Sequence, residues 1–165
     1  MPPLAGRLTS GARLGGFIYG TILVLSVIVA GARAYPHEPG HVAVLVATTC
    51  AVFWVAHVYS HALGESVELK ERVSLRDFGR LAYREAAMLE AAVPPVAALL
   101  LGALGLFSER TSIWIAFGLG LTVLAVEGLV FARIEHLNRL ATLAVVAVNL
   151  GLGVLLVGLK LAVSH

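Results

Sequence analysis

Residues 111–132, TSIWIAFGLGLTVLAVEGLVFA, run for a full span with a single charged side chain, Glu127. As a helix this stretch rises about 33 Å, enough to cross the ~30 Å hydrocarbon layer of a bilayer. Its apolar residues are continuous rather than alternating, which selects a helix over a barrel strand. A carboxylate there costs roughly 2.5–3.5 kcal/mol on insertion scales, so it needs a partner, a cavity or a pathway.

Four further stretches share this character: Leu14–Ala32, His41–Leu63, Ala86–Phe107 and Leu140–Leu159. The 165-residue chain is 59% hydrophobic and 13% charged, against about a quarter charged in soluble domains. Its mean hydropathy is +0.90. The expected fold is all-α: a polytopic membrane bundle of five transmembrane helices forming one domain over residues 1–165. The spans are expected near 14–32, 41–63, 86–107, 111–132 and 140–159.

Lys and Arg orient these spans. One side collects Arg7, Arg13, Lys70, Arg72, Arg76, Arg80, Arg84, Arg133 and Arg139, whereas the other has only Arg33, Arg110 and Lys160. The positive-inside rule therefore puts the N-terminus in the cytoplasm and the C-terminus outside. The sequence pI near 9.0 reflects this topology, and no nucleic-acid signature accompanies it. The first run is longer than a signal-peptide core and is expected to remain as a span. The lone Cys50 excludes an internal disulfide. Ten Arg against two Lys, with abundant Ala, Gly, Val and Leu, point to a GC-rich bacterial genome and an inner-membrane location.

The 64–85 connection is the only sizeable loop and is expected to be cytoplasmic. In it, Ser74-Leu75-Arg76-Asp77 matches a capping box. A helix should start there and run into the third span, with Phe78, Leu81 and Tyr83 near the interface and its charges facing solvent and headgroups. Pro94 and Pro95 predict a kink, since proline removes a donor and clashes with the preceding turn; packing and a hinge are equal explanations. Gly16-x3-Gly20, Ala98-x3-Gly102 and Ala116-x3-Gly120 allow close helix approach.

Depth groups the ionisable residues. With span centres near Val52, Val96 and Thr122, His57, Glu90 and Glu127 all lie about 7–9 Å to the cytoplasmic side of the midplane. His61 lies one turn further and Glu65 another, continuing a stripe with Trp54 and His57. His57, His61, Glu90 and Glu127 together suit a divalent transition metal ion; the same groups suit a proton relay. Against these stands a structural reading. His57 can hydrogen-bond to Glu127, Glu90 can pair with Arg84, and His61 and Glu65 can reach headgroups. Tyr19 and Asn149 read as packing hydrogen bonds. His37 and His41 have no role beyond the nearby Glu38.

The five-span layout and the segment Ala62-Leu63-Gly64-Glu65-Ser66, with Pro94-Pro95 in the third span, resemble the vacuolar iron transporter family. The resemblance implies a homodimer that moves Fe²⁺-like ions out of the cytoplasm, with Glu65 as a metal-pathway carboxylate. Two functions are thus expected as alternatives. One is a cation, metal or proton transporter using His57, Glu90 and Glu127, with His61 and Glu65 at its mouth. The other is a non-transporting scaffold or accessory subunit whose polar groups fix helix packing. No nucleophile–base pairing or phosphate loop points to an enzyme.

Overall fold

A computed structural model describes residues 4–70 and 74–163, so Arg72 of the cytoplasmic cation set lies outside the described residues. Every described element is a helix: α1 (Leu4–Ala34), α2 (Pro39–Leu69), α3 (Leu75–Glu85), α4 (Ala87–Ala103), α5 (Glu109–Ile134) and α6 (Arg139–Val163). Four units are long and apolar enough to cross a membrane: Arg13–Ala34, Pro39–Glu68, the α3–α4 unit Leu75–Ala103, and Glu109–Ile134. The fifth apolar helix, α6, packs on α5 and α1. The chain is a multi-pass membrane bundle.

The turns explain where the spans stop. Pro39 occupies the first turn of α2, where its missing N–H is no loss. At the end of α4, Leu106 N–H bonds to Leu101 O at 3.1 Å and Gly105 N–H to Gly102 O at 3.0 Å. This is a Schellman closure with Gly105 at φ +80°, a conformation glycine adopts without steric cost. It ends the third span at Ala103 rather than at the expected Phe107. Ser108 then caps α5 by accepting from Thr111 N–H, and Ser74 caps α3 by accepting from Asp77 N–H.

The third span is discontinuous at Ala86, which closes α3 and opens α4, and α4 continues through Pro94 and Pro95. Ala86 N–H reaches both Ala82 O and Tyr83 O, so the chain tightens there between a polar helix and an apolar one. The span thus has a junction eight residues before Pro94, besides the two prolines inside α4.

Helices α1 and α4 occupy the centre of the bundle, each packed against α2 and α5. Val24, Leu25 and Ile28 of α1 are fully buried, as are Val42 and Val46 of α2, Leu99 of α4 and Leu124 of α5, with Phe117 of α5 also shut away. Small residues set the helix separations. A Cβ added at Gly20 would lie 2.8 Å from both the Cα and the carbonyl oxygen of Met88, so α1 and α4 touch backbone to backbone. A Cβ at Gly120 would lie 2.7 Å from the Leu25 side chain, whereas one at Gly16 would meet Ala87 at an ordinary 3.7 Å.

These distances separate the two glycines of the first motif. Gly20→Ala should destabilise the bundle by about 1–3 kcal/mol, because Met88 backbone has to move. Gly16→Ala should leave stability within about 0.5 kcal/mol. Thermal unfolding of the two variants in the same detergent checks the contrast.

Candidate functional site

Depth within the bundle can be read from the packing. Gly31 faces Val42, and Gly102 faces Ser112, so these residues mark one level near the end opposite the basic loop. Counting from that level at 1.5 Å per residue, His57 and Glu127 both lie about 22 Å in, and Glu90 about 18 Å. The three residues are indeed close in depth.

They differ in azimuth. Glu90 and Glu127 line a single cavity of about 340 Å³ with Arg13, Leu14, Phe17, Val130 and Ile134. His57 lies on the other side of α1, where its ring meets Tyr19 at 5.2 Å between centroids. Its Nδ1 donates to Phe53 O of its own helix at 3.1 Å. The physical reason is the central placement of α1 and α4, which hold α2 and α5 apart. The layer expected from depth therefore divides into two clusters, and the His57–Glu127 hydrogen bond considered from sequence is not formed.

In the first cluster, Arg13 Nη2 donates to both oxygens of Glu90, at 2.9 and 2.8 Å. Its Nη1 donates to Tyr83 O at 3.0 Å, and the guanidinium stands 4.8 Å from the Tyr83 ring centroid. One side chain of α1 thus holds the end of α3 and the start of α4. The partner of Glu90 is Arg13 rather than Arg84. Glu127 is half-buried and has no hydrogen bond or ion pair among the described residues.

The second cluster surrounds the α2–α3 contact. His61 Nε2 lies 3.7 Å from Glu85 Oε1, and Arg84 Nε donates to the same oxygen at 3.2 Å. Only 9% of the Glu85 side chain is exposed. Trp54 Nε1 donates to Ala82 O at 3.0 Å, so the α2 stripe does face α3, although its histidine meets Glu85. Glu65 lines a separate cavity of about 540 Å³ with Arg13, Asp77, Arg80, Leu81, Tyr83 and Arg84. Sequence reasoning missed Glu85; its signal was the i, i+4 spacing from buried Leu81, which puts both on one face.

The opposite end has its own pairs. His37 Nδ1 lies 2.9 Å from Glu109 Oε2, joining the α1–α2 turn to α5. His41 pairs with Glu38 and stacks on Tyr35. Among the described residues there is no group of three or more His, Cys, Asp or Glu arranged to hold a metal ion. His57, His61, Glu90 and Glu127 do not form a common coordination set.

The chain matches no family model, no curated protein and no solved structure.

The Trp54 bond gives a direct check on the second cluster. Trp54→Phe keeps an aromatic side chain and deletes the donor, and should cost at least about 0.6–1.7 kcal/mol, the range of hydrogen bonds between membrane helices. Chemical or thermal unfolding of the purified variant measures it.

Proposed function

We propose that this chain is a non-transporting multi-pass membrane subunit, whose ionisable groups fasten helices to one another at the two ends of an apolar core. The reading places it in a bacterial inner membrane with its N-terminus in the cytoplasm, on the strength of the nine-to-three imbalance of Lys and Arg.

The observation that carries this reading is the seal between the two ends. Val24, Leu25, Ile28, Val46, Leu99, Phe117 and Leu124 fill the centre with almost no exposed surface. Three hydroxyls at these depths turn back to carbonyls of their own helices. Thr21 donates to Phe17 O at 2.9 Å, Ser26 to Ile22 O at 2.8 Å and Thr122 to Gly118 O at 2.8 Å. Asn149 Nδ2 donates to Leu124 O at 3.3 Å, joining α6 to α5. An ion crossing such a layer gives up its hydration with no polar lining in exchange, at a cost of many kcal/mol.

One observation favours the other class. Glu127 is an unpartnered carboxylate facing the same cavity as Glu90 and Arg13. This supports a proton or small-cation site, and with it the transporter reading; Arg13 already neutralises Glu90, which leaves Glu127 as the group to be filled.

Proteoliposomes separate the two. On the subunit reading, wild-type protein and Glu127→Gln both give only the proton and cation leak of empty liposomes, and the Gln variant is as thermally stable as wild type, since no bond is lost. A wild-type flux that Glu127→Gln abolishes would establish transport instead.

A further inference from the structure

We propose that the outward face of α3 is a docking surface for the headgroups of anionic lipids. The α3–α4 unit has 29 residues, against about 20 needed to cross the hydrocarbon layer. That excess is about nine residues, close to the length of α3, so α3 stands at headgroup depth. It is fixed there by the Trp54 bond to Ala82, the Arg13 bond to Tyr83 and the burial of Leu81.

Helical geometry then divides its surface. Leu81 and Glu85 face the bundle. Arg76, Arg80 and Arg84 recur every four residues and form one row on another side. Beside that row Leu75 and Tyr83 are 93% and 69% exposed. Apolar side chains next to cations fit a bilayer surface, where stems and rings enter the upper acyl region and the charges meet phosphates. A soluble anion has no use for the exposed Leu75.

Charge accounting shows which cations are available. Arg84 is committed to Glu85 and Arg13 to Glu90. Arg80 touches Asp77 only at 3.5 Å and stays 71% exposed. Arg76 is exposed, with no ion pair among the described residues; Lys70, Glu65 and Glu68, also without one, belong to α2. The outward row of α3, Arg76 and Arg80, is therefore positive and complementary to anionic headgroups.

The test uses the full chain in nanodiscs of phosphatidylcholine alone or with 30% phosphatidylglycerol, reading amide hydrogen exchange across α3. Phosphatidylglycerol should slow exchange in residues 75–85 roughly tenfold, and 0.5 M salt should reverse this. The Arg76→Gln/Arg80→Gln double variant should lose the lipid response, while Arg76→Lys/Arg80→Lys keeps it. Unchanged exchange in α4 and α5 of the Gln variant verifies that it is folded. Equal α3 exchange of the wild type in both discs, or a lipid response that survives in the Gln variant, would overturn the proposal. Protection that appears only on adding an acidic peptide would also overturn it, by assigning the surface to a protein partner.

Discussion

The Arg13 guanidinium is the interaction on which the basic end of the bundle depends. Its donors meet two carboxylate oxygens of Glu90 and the carbonyl of Tyr83, while its plane covers the Tyr83 ring. These contacts bridge the Ala86 junction, where the third span changes from a polar helix to an apolar one. Without them α3 is held to the rest by Trp54, Leu81 and the His61–Glu85–Arg84 group. Arginine suits this role because its planar guanidinium puts one nitrogen on the Glu90 carboxylate and the other on the Tyr83 carbonyl while its carbon stands over the Tyr83 ring.

The Arg13 clamp and the small-residue contacts are complementary. Gly20 brings α1 against the Met88 backbone, and that approach brings Arg13, two turns earlier, within reach of Glu90. At the other end Gly102 admits Ser112 and Gly40 admits Ala103, so the turns stay tight and the His37–Glu109 pair can form. Close apolar packing in the middle and polar fastening at the ends are one design. A helix bundle in lipid gains little from hydrophobic burial between helices and relies on packing and interhelical hydrogen bonds.

Much of this was legible in the sequence. The five apolar runs gave the helices, because a chain in lipid has few other ways to satisfy its backbone. Ser74 and Asp77 gave the start of α3. Depth was legible too, since it follows from counting along a helix, and His57 and Glu127 do share a level. What counting could not give was azimuth between helices. Nothing in the periodicity of the second or fourth run tells that α1 and α4 stand between them. Arg13 was read only as a flanking topology charge, although its place one turn before Gly16 and two before Gly20 puts it on a tightly packed helix. Likewise the break at Ala86 carries no sequence signal of its own, since it lies beside the Ala82 and Tyr83 carbonyls that Trp54 and Arg13 capture.

Glu127 stands apart from the other carboxylates of the bundle. It was the anomaly that made the fourth run worth reading, and among the described residues it still has no hydrogen bond or ion pair. Glu90, Glu85 and Glu109 all have cationic or imidazole partners on a neighbouring residue or helix. The central claim is that such partners hold helices together. It is tested most directly by a double-mutant cycle on Arg13→Ala and Glu90→Ala, measured by reversible unfolding in mixed micelles. The account predicts a coupling of about 1–2 kcal/mol between the two positions; strictly additive losses would contradict it.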